Sequence, residues 1–171
     1  PVSCCFTGHR PAKLPWGTDE GDERCLRLKA RLREKFSIGA SDDELIITTG
    51  GQQGIDLAAK VLCNEGDTVI CENPSFIGAL NAFRSYNARL VGVDVERDGI
   101  DVEKLEQALK ANPNTKLIYL IPTFQNPSGI TMSPEKRRAV LALAERYGAV
   151  ILEDNPYGEL RFDGEDVPTI K

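Results

Sequence analysis

Short apolar runs of strand length alternate with stretches of helical period across most of this chain, and nothing else constrains its fold as tightly. Residues 45–49, 68–71, 89–95, 116–121 and 149–152 are such runs, rich in Val, Ile, Leu and Thr. Between them, residues 55–62, 75–84, 102–110 and 133–147 carry apolar side chains at helical spacing. Asp101 is placed to cap the third of these helices, and Ser133, followed by Pro134, to open the fourth. Ahead of them, residues 2–6 read as a strand, and residues 22–35 as a helix with a weak apolar face of Leu26, Leu28 and Leu32. Strands joined through helices need crossover connections, which are right-handed and make neighbouring strands parallel. The fold class expected is therefore α/β, three-layer, with a predominantly parallel sheet and helices on both faces. An apolar strand at 2–6 would leave a costly open edge, so it is expected to join the sheet.

Composition narrows the function. The chain has 171 residues and a mass of 18.8 kDa, enough for one compact fold with a real core. A net charge of −5 and a pI near 5.0 disfavour a general nucleic-acid binder, which needs a basic face for phosphates. No apolar stretch approaches the ~20 residues that span a bilayer, and no signal-peptide pattern is present, so a cytoplasmic protein is expected. The five cysteines include no Cys-x-x-Cys pair and there is a single His, so no metal site is expected and reduced thiols suit the composition. Charge is uneven along the chain. Residues 1–35 hold 8 Lys and Arg against 5 Asp and Glu, and residues 36–171 hold 13 against 21.

Four motifs follow the predicted strands: Gly50-Gly51-Gln52-Gln53-Gly54, Glu72-Asn73-Pro74-Ser75-Phe76, Phe124-Gln125-Asn126-Pro127-Ser128-Gly129 and Glu153-Asp154-Asn155-Pro156-Tyr157-Gly158. In parallel α/β sheets ligands sit at the carboxyl ends of strands, so this placement alone points to one shared site. The glycine-rich turn before a helix lets backbone amides approach an anion, and it equally suits a purely structural turn. It is neither a Walker loop nor a dinucleotide fingerprint. Phe76 fits core packing or a flat wall for a ring, and Asn126 before Pro127 fits turn chemistry. Asp154 ends an apolar strand, where a carboxylate needs a cationic or hydrogen-bonding partner; a helix cap or turn would supply one too. Alternation along the strand sends Glu153 and Asp154 to opposite faces.

Taken together and in order, these motifs resemble the pyridoxal-phosphate aminotransferases of fold type I, class I/II, over residues 36–171. The segments Glu72 to Leu80, Ile121 to Gly129 and Glu153 to Phe162 look like the branch of 2-aminoadipate and kynurenine enzymes. The resemblance implies part of that family's large domain, binding pyridoxal phosphate. It also implies amino-acid and 2-oxo-acid substrates, and a homodimer. It assigns cofactor binding to Gly51 and Gln52 (phosphate), Phe76 (stacking on the ring), Asn126 and Tyr157 (ring hydroxyl) and Asp154 (ring nitrogen). Gly51 stands where a hydroxyl residue is common, which removes one side-chain bond to phosphate. The family's Schiff-base lysine lies well beyond its Asp-x-Pro-Tyr motif. Here the only lysine beyond Tyr157 is Lys171, where the family has a surface connection. The expectation is a truncated enzyme with no catalytic residue assigned, non-covalent cofactor binding, and no activity alone.

Residues 1–35 are similar to something else. Cys4-Cys5-Phe6-Thr7-Gly8-His9-Arg10-Pro11 and Leu14-Pro15-Trp16-Gly17 resemble the opening of SLOG-type Rossmann-like proteins of unknown function. His9 and Arg10 would then face a nucleotide phosphate, or simply occupy a loop. A division into residues 1–35 and 36–171 within one compact fold is expected. The alternatives to a transaminase fragment are a SLOG-like nucleotide-binding protein and a non-catalytic chimeric scaffold.

Overall fold

A computed structural model describes residues 2–5, 15, 19, 21–35 and 46–170. It divides into two compact units, Gly8–Gly50 and the rest of the chain.

In the first unit, helix α1 (Glu23–Lys35) starts beside Asp22, whose carboxylate accepts the Arg24 amide at 2.8 Å and pairs with the Arg24 guanidinium at 2.8 Å. Cys25 in this helix is buried, whereas Leu26, expected on the apolar face, is half exposed. The run at 45–49 is not a strand where it is described. Residues 46–48 have no regular structure and 49–50 form a bend, while Leu45 lies outside the described residues. Strand propensity needs a ladder partner to act on; Ile46 instead stays 72% exposed, and the Thr48 hydroxyl bonds locally to the Gly50 carbonyl at 3.0 Å. The loop expected around Thr7 to Arg10 lies outside the described residues.

The second unit holds the sheet. Its elements are β1 (Val2–Cys5), α2 (Gly51–Leu62), β2 (Thr68–Asn73), α3 (Ile77–Ser85), β3 (Arg89–Glu96), β4 (Gly99–Ile100), α4 (Val102–Ala111), β5 (Thr115–Leu120), α5 (Pro134–Tyr147) and β6 (Val150–Asp154). The strand order is β1-β6-β5-β2-β3-β4. All neighbours run parallel except the two-residue β4, which turns back on β3. β1 joins at the edge, pairing Val2 with Ile151 through Cys5 with Asp154.

Alternation along each strand feeds two cores, one per face. On β5, Leu117 and Tyr119 pack with Ile55 of α2 and Phe83 of α3, while Ile118 and Leu120 pack with Leu105 of α4 and Val140 of α5. The result is the three-layer arrangement that the alternation of runs predicts. The two helix openings read from sequence also form: Asp101 accepts the Lys104 amide at 3.0 Å, and Ser133 accepts the Lys136 amide at 3.3 Å with Pro134 in the first turn.

The glycine that opens β4 is required for packing. Gly99 has φ +119°, and an added Cβ would lie 2.6 Å from Met132 Cγ and 3.1 Å from its Cα. Gly99→Ala should therefore lower the free energy of unfolding by about 2 kcal/mol, combining backbone strain with overpacking of buried Met132. Urea denaturation checks this; an unchanged midpoint would mean that β4 shifts freely.

Candidate functional site

The chain order reverses between β2 and β5. From β2 the connection steps outward to β3, then returns across β2 to β5 and onward to β6. Such a reversal opens a crevice at the carboxyl ends of the strands. A cavity of about 180 Å³ lies there, lined by Gly51, Gln52, Ile55, Phe76, Ile121 and Asn126, with Asp154, Pro156 and Tyr157 completing the wall. All six residues singled out in the sequence as cofactor contacts (Gly51, Gln52, Phe76, Asn126, Asp154 and Tyr157) fall on this one lining. A single water needs only ~10–15 Å³ of such space, so the cavity suits a larger guest.

Each wall has a local cause. α2 begins at Gly51, four residues earlier than its apolar periodicity suggests, and so brings its amino terminus to the cavity. Its first turn has no acidic residue, and first-turn amides have no intrahelical acceptor, so the dipole favours an anion. Gln52 is tied across to the next helix, its Nε2 donating to the Gly78 carbonyl at 3.1 Å. Gly78 also leaves room for the ring wall, because a Cβ there would sit 2.4 Å from Phe76 Cζ and 2.7 Å from Gln52 Oε1. Phe76 itself is the residue just before α3 rather than part of it.

Asp154 terminates β6 and is 4% exposed. Its Oδ2 accepts the Tyr119 hydroxyl at 2.7 Å. Burial pushes this carboxyl up and the Tyr119 bond only partly restrains it. Glu153 points to the other core as alternation requires, where its Oε2 accepts the Ile170 amide at 3.0 Å and Arg137 stands 3.7 Å from Oε1.

Three buried polar residues around the cavity escaped the sequence reading. Tyr119 looks like one more apolar strand residue until its hydroxyl is placed against Asp154. Glu72, 2% exposed at the end of β2, accepts the Ile121 amide at 2.9 Å and Gln125 Nε2 at 3.4 Å. Gln125 is equally buried, and its Nε2 also donates to the Pro74 carbonyl at 2.8 Å. The signal available in sequence was Glu72 itself, a carboxylate at the end of an otherwise apolar run.

Burial pushes Glu72 up to about 7, against the holding-down effect of the Ile121 and Gln125 donors. An acid whose folded value lies above its unfolded one stabilises the fold fully only below the unfolded value. Between about pH 4.5 and 7 the native state retains a proton that the unfolded chain has released, so stability falls as pH rises through that window. Glu72→Gln should flatten this component, worth about 3 kcal/mol across the window. Denaturation at pH 5 and pH 7.5 reads it: the wild type should lose stability relative to the variant at the higher pH, and a constant difference would contradict it.

Among the described residues no cluster of His, Cys, Asp and Glu could hold a metal ion, and no helix is long and apolar enough to cross a membrane.

Comparison with known proteins finds relatives of the same fold. The family model for aminotransferase class I and II matches residues 25–170. An aromatic-amino-acid aminotransferase of Thermococcus litoralis is 40% identical over 95% of this chain and 40% of its own length. A 2-aminoadipate transaminase of Thermus thermophilus is 41% identical over 96% of this chain and 46% of its own length. The crystal structure of Pyrococcus horikoshii kynurenine aminotransferase, in complex with PMP, superposes with a TM-score of 0.78 at 38% identity, covering 84% of this chain and 36% of that one. The chain thus spans less than half the length of these relatives.

Proposed function

Because the chain belongs to the class I and II aminotransferases, we propose that its cavity is the pyridoxal-phosphate pocket of an enzyme moving an amino group from an amino acid to a 2-oxo acid. One observation carries the reading: a buried carboxylate, Asp154, shares a mostly apolar slot with the amino terminus of a helix free of first-turn acids. A guest that satisfies both ends is a cationic ring bearing a phosphate. A nucleotide suits the slot less well, since adenine is uncharged near neutrality and would leave Asp154 unpaired.

The residues present fit the cofactor. When bound, it supplies an electron sink for the electron pair left at the substrate α-carbon. Asp154, oriented by the Tyr119 hydroxyl, would hold a proton on the pyridine nitrogen. Phe76 and Ile121 would supply apolar walls that exclude water. Asn126 and Tyr157 would offer polar groups to the ring hydroxyl. Gly51 and Gln52 would hold the phosphate at the start of α2, without the side-chain hydroxyl that Gly51 lacks. Among the described residues no lysine is on the cavity lining, and the contacts named here are non-covalent. The 2-aminoadipate and aromatic relatives indicate amino-acid donors of that size, with 2-oxo acids as acceptors.

Titration with pyridoxamine phosphate tests the site, because its amine cannot condense with surface lysines. One saturable site is expected, with unphosphorylated pyridoxamine binding at least about tenfold more weakly, as loss of a charge-assisted contact implies. Equal binding of the two, or none, would contradict the proposal. Amino transfer from glutamate, 2-aminoadipate or aromatic donors by this chain alone should stay at background, because among the described residues the lining has no amine to carry the cofactor. Turnover abolished by replacing Lys60 or Lys116 would contradict that expectation.

A further inference from the structure

Glu72 has no ion-pair partner among the described residues, and its carboxylate instead collects two neutral donors, the Ile121 amide at 2.9 Å and Gln125 Nε2 at 3.4 Å. A leucine or methionine at this strand end would bury apolar surface without the desolvation that a carboxylate incurs. What the carboxylate adds is direction. Ile121 lines the cavity directly, and Gln125 brackets the turn that presents Asn126. Gln125 Oε1 accepts the Ser128 amide at 2.9 Å, its backbone amide donates to the Ile130 carbonyl at 2.8 Å, and its Nε2 reaches the Pro74 carbonyl at 2.8 Å. The turn is held from its other side too. Phe124 sits at φ +51°, a conformation costly for a bulky residue, with Arg161 stacked 4.8 Å from its ring and Thr131 Oγ1 accepting its amide at 3.3 Å. The turn is thus pinned at Phe124, Gln125 and the Ser128 amide, on either side of Asn126.

We propose that Glu72 is a positioning residue that aims the Asn126 wall of the cavity through Gln125. Glu72 does not touch the guest. It links the end of β2 to the turn after β5 across the strand reversal where the crevice opens, so the two sides keep a fixed spacing. The proposal rests on the reading of the cavity as a phosphopyridine site only for its effect on affinity; the effect on the turn is independent of it.

The test uses the full chain and four variants. Glu72→Met removes the acceptor at similar volume and without a buried charge, Glu72→Ala removes it with a cavity, and Glu72→Gln keeps one acceptor oxygen. Val140→Ala lowers stability from the core on the α4 and α5 face, which contributes no residue to the cavity lining. Three quantities are read: the Asn126 side-chain amide resonance, hydrogen exchange at the Ser128 amide, and the dissociation constant for pyridoxamine phosphate. In Glu72→Met and Glu72→Ala the Asn126 resonance should move, Ser128 exchange should quicken about tenfold, and binding should weaken about tenfold, the loss of one hydrogen-bonded constraint. Glu72→Gln should stay within about threefold of wild type by restoring the bond to the Ile121 amide. Val140→Ala should lower the melting temperature yet leave Asn126 and Ser128 unmoved. Unchanged Asn126 and Ser128 signals in Glu72→Met, or the same changes in Val140→Ala, would overturn the proposal. Failure of the wild type to bind pyridoxamine phosphate would overturn the cofactor reading instead, with the Asn126 and Ser128 signals still deciding the role of Glu72.

Discussion

Arg137→Ala should lower the free energy of unfolding by about 3–5 kcal/mol, the magnitude seen when one partner of a buried charge pair is removed. Arg137 is 4% exposed and Glu153 fully buried. Its Nε donates to the Met132 carbonyl at 3.0 Å, Nη1 to the Pro168 carbonyl at 2.8 Å, and Nη2 to the Pro122 carbonyl at 2.7 Å and Thr123 Oγ1 at 2.9 Å. One side chain thus ties the end of α5's approach, the segment after β5 and the segment beyond β6 to the sheet. Burial pushes Arg137 down and Glu153 up, so desolvation outweighs their mutual attraction at 3.7 Å. The pair matters less for its attraction than for what either charge would cost alone. Glu153 Oε1 already lacks a hydrogen-bond donor. Adding Glu153→Gln to Arg137→Ala should therefore recover stability, with a coupling of about 1–3 kcal/mol. Urea denaturation of both singles and the double reads it; strictly additive losses would mean that the clamp on the carbonyls, not the charge pair, dominates.

Asp154→Asn is expected to act in opposite directions on binding and on stability. Loss of the charge that pairs with a protonated ring nitrogen should weaken pyridoxamine phosphate about 10- to 100-fold, the range of a hydrogen bond between charged groups. The ligand-free protein should be as stable as wild type or more so, since the amide can still accept the Tyr119 hydroxyl and no longer buries a carboxyl pushed upward by desolvation. Phe83 and Tyr119 pack edge-on at 5.5 Å beneath this contact, so the hydroxyl stays in place. Parallel loss of affinity and stability would instead mark Asp154 as a structural residue.

The sheet could be read from sequence because β2, β5 and β6 are buried on both faces and two of its helices, α4 and α5, begin with recognisable caps. Asp101 and Ser133 each had a side-chain oxygen at a helix start, and each accepts the amide three residues on. The six cavity residues were legible through the resemblance of their motifs to a known family, and four of them (Phe76, Asn126, Asp154 and Tyr157) also lie at or just beyond a strand's carboxyl end. The run at 45–49 misled because an apolar, β-branched stretch states a propensity and not a partner. β4 was missed because two residues have no period. The network of Glu72, Tyr119 and Gln125 was out of reach for a different reason: its partners lie 35 to 53 residues apart, across strands whose register only the fold fixes.

The claim that Asp154 pairs with a cationic ring is tested most directly at the ring nitrogen. Pyridoxamine phosphate labelled with ¹⁵N in the pyridine ring should show, on binding the wild type at pH 8, the chemical shift of a protonated nitrogen. With Asp154→Asn at saturating ligand, the shift should be that of an unprotonated ring. An unprotonated ring in the wild type, or a protonated one in both proteins, would contradict the account.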